Sequence, residues 1–177
     1  MTDTATLAAY GVVSEPMAVR IERMLPGPIE RVWSYLTDSE LRGRWLAKGE
    51  MDLRVGGRVE LIWRNAELTP HNETPPEGHS AEHRMESVIT RLDPPRLLAF
   101  GWQGGAEVTF ELEPVGREVR LVINHRKLPG RDMLRGVSAG WHSHLDVLVA
   151  VVNERVPGPF WPAWQRLRDE YDQRLPR

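Results

Sequence analysis

Tryptophan and histidine are the residues of this sequence whose types and spacing suggest chemistry. The chain has 177 residues and contains seven Trp and six His, but only three Phe and three Tyr. A Trp side chain has a large apolar face and one N–H group that needs a hydrogen-bond partner when it is buried. Such a set fills a core or forms the wall of a ligand cavity, because small-molecule sites are mostly apolar with a few placed polar groups.

Nine side chains are candidates for contact with a ligand in such a cavity. The apolar candidates lie on the core-facing side of an alternating strand or of a helical pattern. The two histidines among them offer ring nitrogens to the polar end of a ligand, and the alternative for each is a structural role at a strand end or a helix edge. The candidates are Trp63, Phe100, Trp102, Phe110, His125, Trp141, His144, Leu145 and Leu148.

The sequence contains no strong catalytic motif. It has no Gly-x-Ser-x-Gly, no phosphate-binding loop and no dinucleotide fingerprint. One weak candidate is Glu86, which would face inward together with Arg84 if their strand buries Val88. A buried carboxyl group of this kind could act as a general acid or base. We therefore expect no catalytic residues and leave enzymatic activity as an alternative.

Metal binding and cofactor binding are not indicated. The chain has no Cys, which excludes thiolate ligands, disulfides and thiol nucleophiles. His71, His79 and His83 lie in or beside an acidic segment, but their spacing matches no known ligand set. His142 precedes Asp146 by four residues, and we interpret this pair as a surface contact on a helix.

Charge and hydropathy exclude several classes of protein. Lys and Arg total 23 against 25 Asp and Glu, a net charge of −2, which argues against a nucleic-acid binder. No stretch is apolar over the length that a membrane helix needs, so no membrane insertion is expected. The first ten residues carry an acid and no base, unlike a signal peptide. We expect one cytoplasmic domain over residues 1–177.

The elements that position the candidates follow from hydrophobic periodicity. Residues 17–22 alternate as a strand, Pro28 opens a helix from Ile29 to Thr37, and Asp38 starts a second short helix. In the helix Ile29–Thr37, Val32, Trp33 and Leu36 fall on one face. Alternating strands then follow in order with tight turns, which is typical of an antiparallel meander.

Four segments of the remaining chain differ from this pattern. Residues 66–82 form a long acidic loop that is either functional or mobile. The strand from His83 to Leu92 has two competing phases, one burying Met85 and Ile89 and the other Val88 and Leu92. From residue 134 to 152 the apolar period becomes three to four, which predicts one long amphipathic helix. Residues 157–177 form an aromatic, helical C-terminal extension.

Several motifs in order resemble proteins homologous to the activator of the heat-shock-protein-90 ATPase. They are residues 28–41 with Trp45, residues 53–58, residues 93–97 with Trp102, residues 108–112, and Gly140-Trp141 followed by Leu145 and Leu148. The tail, with Phe160-Trp161 and Tyr171, is similar to the ending of one bacterial branch. The resemblance implies the helix-grip fold of the START-like (SRPBCC) superfamily. In this α+β fold a curved antiparallel sheet wraps around a long C-terminal helix.

The resemblance implies three functions. The first is binding of a hydrophobic small molecule, lipid-, polyketide- or aromatic-like, in a cavity between the sheet and the long helix. The second is a cyclase or hydrolase that uses the same cavity. The third is a stress-related co-chaperone of a heat-shock-protein-90-like ATPase. We rank the co-chaperone function last because the known activator also contacts the chaperone through an additional N-terminal domain. A homodimer remains an open alternative.

Overall fold

Seven antiparallel strands form one curved sheet in the computed structural model, which describes residues 9–177. The order across the sheet is β1-β2-β7-β6-β5-β4-β3. Two short helices follow β2, and two longer helices follow β7. The strands are β1 (Val12–Glu15), β2 (Ala18–Pro26), β3 (Arg58–Trp63), β4 (His83–Asp93), β5 (Leu97–Gly101), β6 (Glu107–Val115) and β7 (Glu118–Arg126). The helices are α1 (Ile29–Thr37), α2 (Ser39–Arg42), α3 (Arg131–Val152) and α4 (Phe160–Arg174).

The long helix α3 covers the inner face of the sheet, as the predicted helix-grip fold requires. Alternate residues of β7, including Leu121 and Ile123, are fully buried, and so are Leu145 and Leu148 of α3. The observed strand pattern and the 22-residue helix confirm the α+β prediction. Within residues 9–177, no helix is both long and apolar enough to cross a membrane.

The short helices begin where the sequence predicts, although one buried side chain differs. Helix α1 spans Ile29–Thr37, and the Asp38 side chain accepts a hydrogen bond from the Leu41 amide at the start of α2. Of the three residues placed on one face, Val32 and Leu36 are buried and Trp33 is half-buried, whereas Tyr35 is also buried in the core. Trp33 and Tyr35 flank the stripe formed by Val32 and Leu36 on opposite sides of the helix, so an apolar face drawn through that stripe can extend to either of them.

Strand β4 uses both of its competing phases. Met85 and Ile89 are buried, whereas Val88 is 50% exposed. The register with β5 then shifts between Ile89 and Arg91, which turns Leu92 partly inward after the irregularity. A β-bulge of this kind moves every following side chain to the other face.

The orientation of β4 removes the candidate buried acid. Glu86 and Arg84 are both exposed on the outer face, and Glu86 forms an ion pair with Arg58 of β3. The idea of a buried Glu86 acting as acid or base is therefore wrong.

The C-terminal extension packs against the domain. Helix α4 lies along α3 and buries its aromatic face, including Phe160, Trp161 and Trp164 near its start and Tyr171 near its end. Arg131 of α3 donates to a carboxylate oxygen of Asp172 at 2.7 Å and fixes the far end of α4. This arrangement brings the aromatic side chains of the tail next to the candidate site.

Candidate functional site

A cavity of about 460 Å³ lies between α3, the start of α4, the ends of β3 and β4, and the loop that joins those strands. This volume falls within the usual range of small-molecule pockets, about 300–1,000 Å³. Gly78, His79 and Ser80 of the loop are exposed and form its rim. The full lining is Leu46, Trp63, Asn65, Gly78, His79, Ser80, His83, Trp102, Met133, Gly136, Val137, Gly140, Trp141, His144, Phe160, Trp161 and Trp164.

Five of the seven tryptophans line this cavity. On the sheet side, the ring centroids of Trp63 and Trp102 are 5.6 Å apart, and those of Trp102 and Trp141 are 5.9 Å apart. On the opposite side, Trp161 and Trp164 of α4 meet edge to face at 5.4 Å. Aromatic pairs at these distances and angles pack favourably beyond their buried area, so the wall is rigid as well as apolar.

Two glycines on α3 leave room for the cavity. Gly136 and Gly140 are four residues apart and therefore share one helix face. A Cβ atom built at Gly136 would meet no atom within 4 Å, and one at Gly140 would reach only Trp164 Nε1 at 4.0 Å. Trp164 Nε1 donates to the Gly136 carbonyl oxygen at 3.3 Å. Side chains at these two positions would project into the space between α3 and α4.

His144 presents one ring nitrogen on the cavity side of α3. It is 6% exposed, and its Nδ1 lies 2.8 Å from the Trp45 carbonyl oxygen, which can only accept. Nδ1 therefore carries the proton, and Nε2 is the acceptor in the neutral ring. Burial lowers the pKa of His144 to about 4, so the ring is neutral at pH 7.

A buried arginine fixes the segment that holds His144. Arg42 is 2% exposed and donates to the carbonyl oxygens of Ala47 and Leu36, each at 3.1 Å. Trp45 Nε1 donates to the Tyr35 carbonyl oxygen at 2.8 Å. These bonds position the Trp45 carbonyl opposite His144. The apolar pattern did not reveal Arg42, because it is a charged residue in the core.

His125 lies behind the cavity wall. It is completely buried, its ring centroid is 4.8 Å from that of Trp102, and Trp141 Nε1 donates to its Nδ1 at 2.9 Å. The expectation that His125 hydrogen-bonds the ligand is therefore corrected, since the two indoles separate it from the cavity. Burial lowers its pKa to about 3, and the neutral ring orients Trp141.

The nine sequence candidates fall into two layers. Trp63, Trp102, Trp141 and His144 line the cavity, whereas His125 and four apolar candidates form the packed layer behind it. Alternation predicts which residues face inward but not which of them border empty space. The four apolar candidates that do not line the cavity are Phe100, Phe110, Leu145 and Leu148.

The acidic loop is fastened to α4 by one of its glutamates. The Glu73 carboxylate accepts hydrogen bonds from the Phe160 amide at 3.0 Å and the Trp161 amide at 2.7 Å, and Thr69 Oγ1 donates to it at 2.7 Å. We name these contacts the Glu73 clasp. The loop that was expected to be either functional or mobile is therefore anchored at Glu73, and its later residues Gly78, His79 and Ser80 border the cavity.

His79 of the same loop completes that wall. Its ring centroid is 5.1 Å from that of Trp161 and 4.8 Å from that of Trp164. Burial, and secondarily the charge of Arg168, lower its pKa, which favours the neutral ring at pH 7. Among residues 9–177, no group of three or more His, Asp or Glu is arranged to hold a metal ion.

His142 is a further correction. It is 6% exposed and lies under α4, where its Nδ1 is 2.9 Å from the Tyr171 hydroxyl oxygen. That hydroxyl also accepts from the Gly11 amide at 2.7 Å. Asp146 is 3.7 Å from the other ring nitrogen, so the predicted pairing exists but is not a surface contact. Burial is the main cause that lowers the pKa of His142 to about 3.

Two cavity-lining residues carry buried polar atoms without a partner among the described residues. They are the Trp161 Nε1–H donor and the Asn65 Oδ1 acceptor. A buried polar atom without a hydrogen bond is rare and costs about 1–3 kcal/mol. Of the residues that the structure describes, no Asp, Glu, Lys or Arg lines the cavity. The site is therefore an apolar, uncharged pocket whose lining residues include buried polar atoms that lack a hydrogen-bond partner.

Sequence reasoning missed the lining that comes from α4 and from the α3 glycines. The tail was expected to form an aromatic helical extension, but nothing local shows that Phe160, Trp161 and Trp164 border a cavity rather than a solid core. The spacing of Gly136 and Gly140 is the one signal that could have pointed there, since adjacent small residues on a helix mark a close approach or an open face.

Comparison with known proteins places the chain in a family. The sequence profile of the Activator of Hsp90 ATPase homolog 1-like protein family matches residues 26–153. No curated protein matches the chain.

Solved structures agree with this assignment. A Bordetella parapertussis protein solved by NMR is 39% identical, with 96% of this chain and 92% of that chain covered and a TM-score of 0.79. CalU16 from Micromonospora echinospora is 25% identical, with 89% and 83% covered and a TM-score of 0.65. An AHSA1-like protein from Aeromonas hydrophila, 22% identical with 78% and 93% covered and a TM-score of 0.62, shares the fold. The chain belongs to the Activator of Hsp90 ATPase homolog 1-like family.

Proposed function

We propose that this protein binds a largely apolar small molecule in the cavity between α3, α4 and the β3–β4 end of the sheet. The observation that carries the proposal is the wall of five tryptophans around about 460 Å³ of space. Buried side chains are normally packed as densely as an organic crystal, so open space of this size beside a wall of buried indoles needs an explanation. A ligand that buries apolar surface there would gain roughly 25 cal/mol for each Å² removed from water.

The helix face that borders the cavity supports the same proposal. Gly in a helix interior costs about 1 kcal/mol relative to Ala, and α3 carries two of them toward the cavity. An alanine at Gly136 would meet no neighbour within 4 Å, so steric crowding does not require glycine there. A need to keep this space open for a ligand would explain why glycine occupies both positions of the helix.

A fluorescent probe tests the proposal. N-phenyl-1-naphthylamine is a neutral, apolar fluorophore whose emission rises when it leaves water, and a ligand beside the tryptophans should quench their emission. Wild-type protein is expected to bind it and to show both changes. Gly136→Leu places an isobutyl group in the cavity and should weaken binding by about tenfold or more, which corresponds to 1.4 kcal/mol.

Gly136→Ala is the matched control, because it changes helix propensity in the same direction but fills little of the space. It should bind the probe nearly as wild type does and melt at a slightly higher temperature. Equal probe binding by wild type and Gly136→Leu, or no binding by wild type, would contradict the proposal.

A further inference from the structure

The polar atoms of the cavity define the ligand more closely, on the basis of the proposed function. We infer that the cavity selects an uncharged aromatic molecule bearing a hydroxyl group, and that it discriminates against the corresponding carboxylate.

The first step concerns charge. The described lining contains no acidic residue, lysine or arginine, so a buried carboxylate would find no ion partner. Two of the histidines in the lining, His79 and His144, have lowered pKa values and stay neutral at pH 7. The α4 amides that could have received an anion, those of Phe160 and Trp161, are already occupied by Glu73. Burial of an unpaired charge is strongly unfavourable, so an anion should be rejected.

The second step concerns hydrogen bonding. Trp161 Nε1–H is a donor without a partner, and Asn65 Oδ1 is an acceptor without one among the described residues. His144 Nε2 is a second acceptor, because the Nδ1 proton is directed to the Trp45 carbonyl. A hydroxyl group both donates and accepts, so it can donate to Nε2 of the cavity-lining His144 ring, and it matches the covered Trp161 and Asn65 atoms once those side chains turn toward it. A ketone could accept a hydrogen bond from the Trp161 N–H group but could not donate one to either acceptor. A hydrocarbon could form neither kind of hydrogen bond.

The third step concerns shape. Indoles from three parts of the fold form the wall. Trp161 and Trp164 belong to α4, Trp63 and Trp102 to the sheet side, and Trp141 to α3. Flat rings pack against such walls edge to face or offset, with a gain beyond the buried area. A planar aromatic body with a polar substituent therefore fits the lining better than a flexible chain does.

Three probes of nearly equal size test the inference at pH 7: naphthalene, 2-naphthol and 2-naphthoate. Titrations followed by Trp fluorescence or calorimetry give a dissociation constant for each. We expect 2-naphthol to bind about tenfold more tightly than naphthalene, the factor for one net hydrogen bond. We expect 2-naphthoate to bind at least tenfold more weakly than 2-naphthol. Binding of 2-naphthoate as tight as that of 2-naphthol would overturn the inference.

Variants assign the preference to the named atoms. Trp161→Phe keeps an aromatic ring but removes the N–H group, and Asn65→Leu removes the amide oxygen. One or both should reduce the preference for 2-naphthol over naphthalene to about one, whereas naphthalene itself should bind within about threefold of wild type. Trp33→Phe, on α1 and outside the cavity, is the control and should retain the preference. Thermal melts establish that each variant is folded.

The outcomes separate the two proposals. If naphthalene and 2-naphthol bind equally, the cavity is a ligand site and the inference on the hydroxyl group is wrong. If neither binds wild type, the proposed function fails, and this inference fails with it. Retention of the full preference in both Trp161→Phe and Asn65→Leu would also overturn the inference.

Discussion

Removal of the Glu73 clasp tests whether the acidic loop is a structural wall of the cavity. Helix α4 has no side-chain cap of its own, since Pro159 precedes it and makes no capping hydrogen bond. Glu73 supplies the cap from 87 residues away in sequence by accepting from the Phe160 amide, and it accepts from the adjacent Trp161 amide as well. The substitution Glu73→Ala leaves both amides without their partner.

The expected loss follows from those contacts. Hydrogen bonds to a charged group are worth about 1.5–3 kcal/mol each, and loss of a helix N-cap costs about 0.5–2 kcal/mol. Glu73 is only half-buried, so water can replace part of these hydrogen bonds in the variant. We therefore expect the free energy of unfolding to fall by about 2–4 kcal/mol, near the lower end of the summed contributions. For a chain of this length each kcal/mol lowers the melting temperature by about 2–4 °C, which gives roughly 5–15 °C.

Calorimetry or thermal circular dichroism measures the effect, and two variants calibrate it. Glu73→Gln keeps one acceptor oxygen and should lose about half as much. Glu77→Ala lies in the same loop at an exposed position and should change stability by less than about 0.5 kcal/mol. The Phe160 and Trp161 amides should also exchange with deuterium faster in Glu73→Ala. Equal melting temperatures for Glu73→Ala and Glu77→Ala would refute the clasp.

Three further perturbations have defined outcomes. His125→Leu should lower the free energy of unfolding by about 1–3 kcal/mol, because Trp141 Nε1 loses its acceptor. The same variant should bind the fluorescent probe within about threefold of wild type, and a tenfold loss of affinity would mean that His125 contacts the ligand after all. Deletion of residues 157–177 removes a helix whose buried aromatic residues contribute about 1.5–3 kcal/mol each to stability. The shortened protein should therefore aggregate or melt at a much lower temperature, and a soluble monomer with an unchanged melting curve would contradict this. Acid should unfold the protein: His125, His142 and His144 have pKa values of about 3, 3 and 4 when folded, against about 6.5 unfolded. Between the folded and unfolded pKa values, the unfolded chain binds protons that the folded protein does not. The free energy of unfolding should therefore fall by roughly 5–6 kcal/mol from pH 7 to pH 5. Urea unfolding at both pH values measures it, and an unchanged free energy of unfolding would show that these rings are not buried.

Most elements of the fold could be predicted because they have a clear hydrophobic period. Val119, Leu121 and Ile123 alternate without interruption, and all three are buried in β7. Strand β4 could not be assigned, because the register shift after Ile89 gives its two halves opposite phases. A bulge of this kind leaves no periodic signal, so neither phase fits the whole strand.

The candidate site was predictable only in part, for a different reason. Trp63 and Trp141 were identified from local patterns, and both line the cavity. The packing of Trp161 against His79 depends on how α4 docks after Pro157-Gly158-Pro159 and on how Glu73 holds the loop. Such contacts join residues more than 80 positions apart, and no local pattern encodes them.

The indole N–H signals of the seven tryptophans test the central claim most directly. In a ¹H–¹⁵N NMR spectrum each Trp gives one such signal, which single Trp→Phe variants assign. Titration with N-phenyl-1-naphthylamine is expected to shift the signals of the five tryptophans that line the cavity, Trp161 most of all. The signals of Trp33, on α1, and of Trp45, bonded to the Tyr35 carbonyl, should stay in place. A spectrum in which no indole signal moves, or in which only that of Trp33 moves, would contradict a ligand site between α3 and α4.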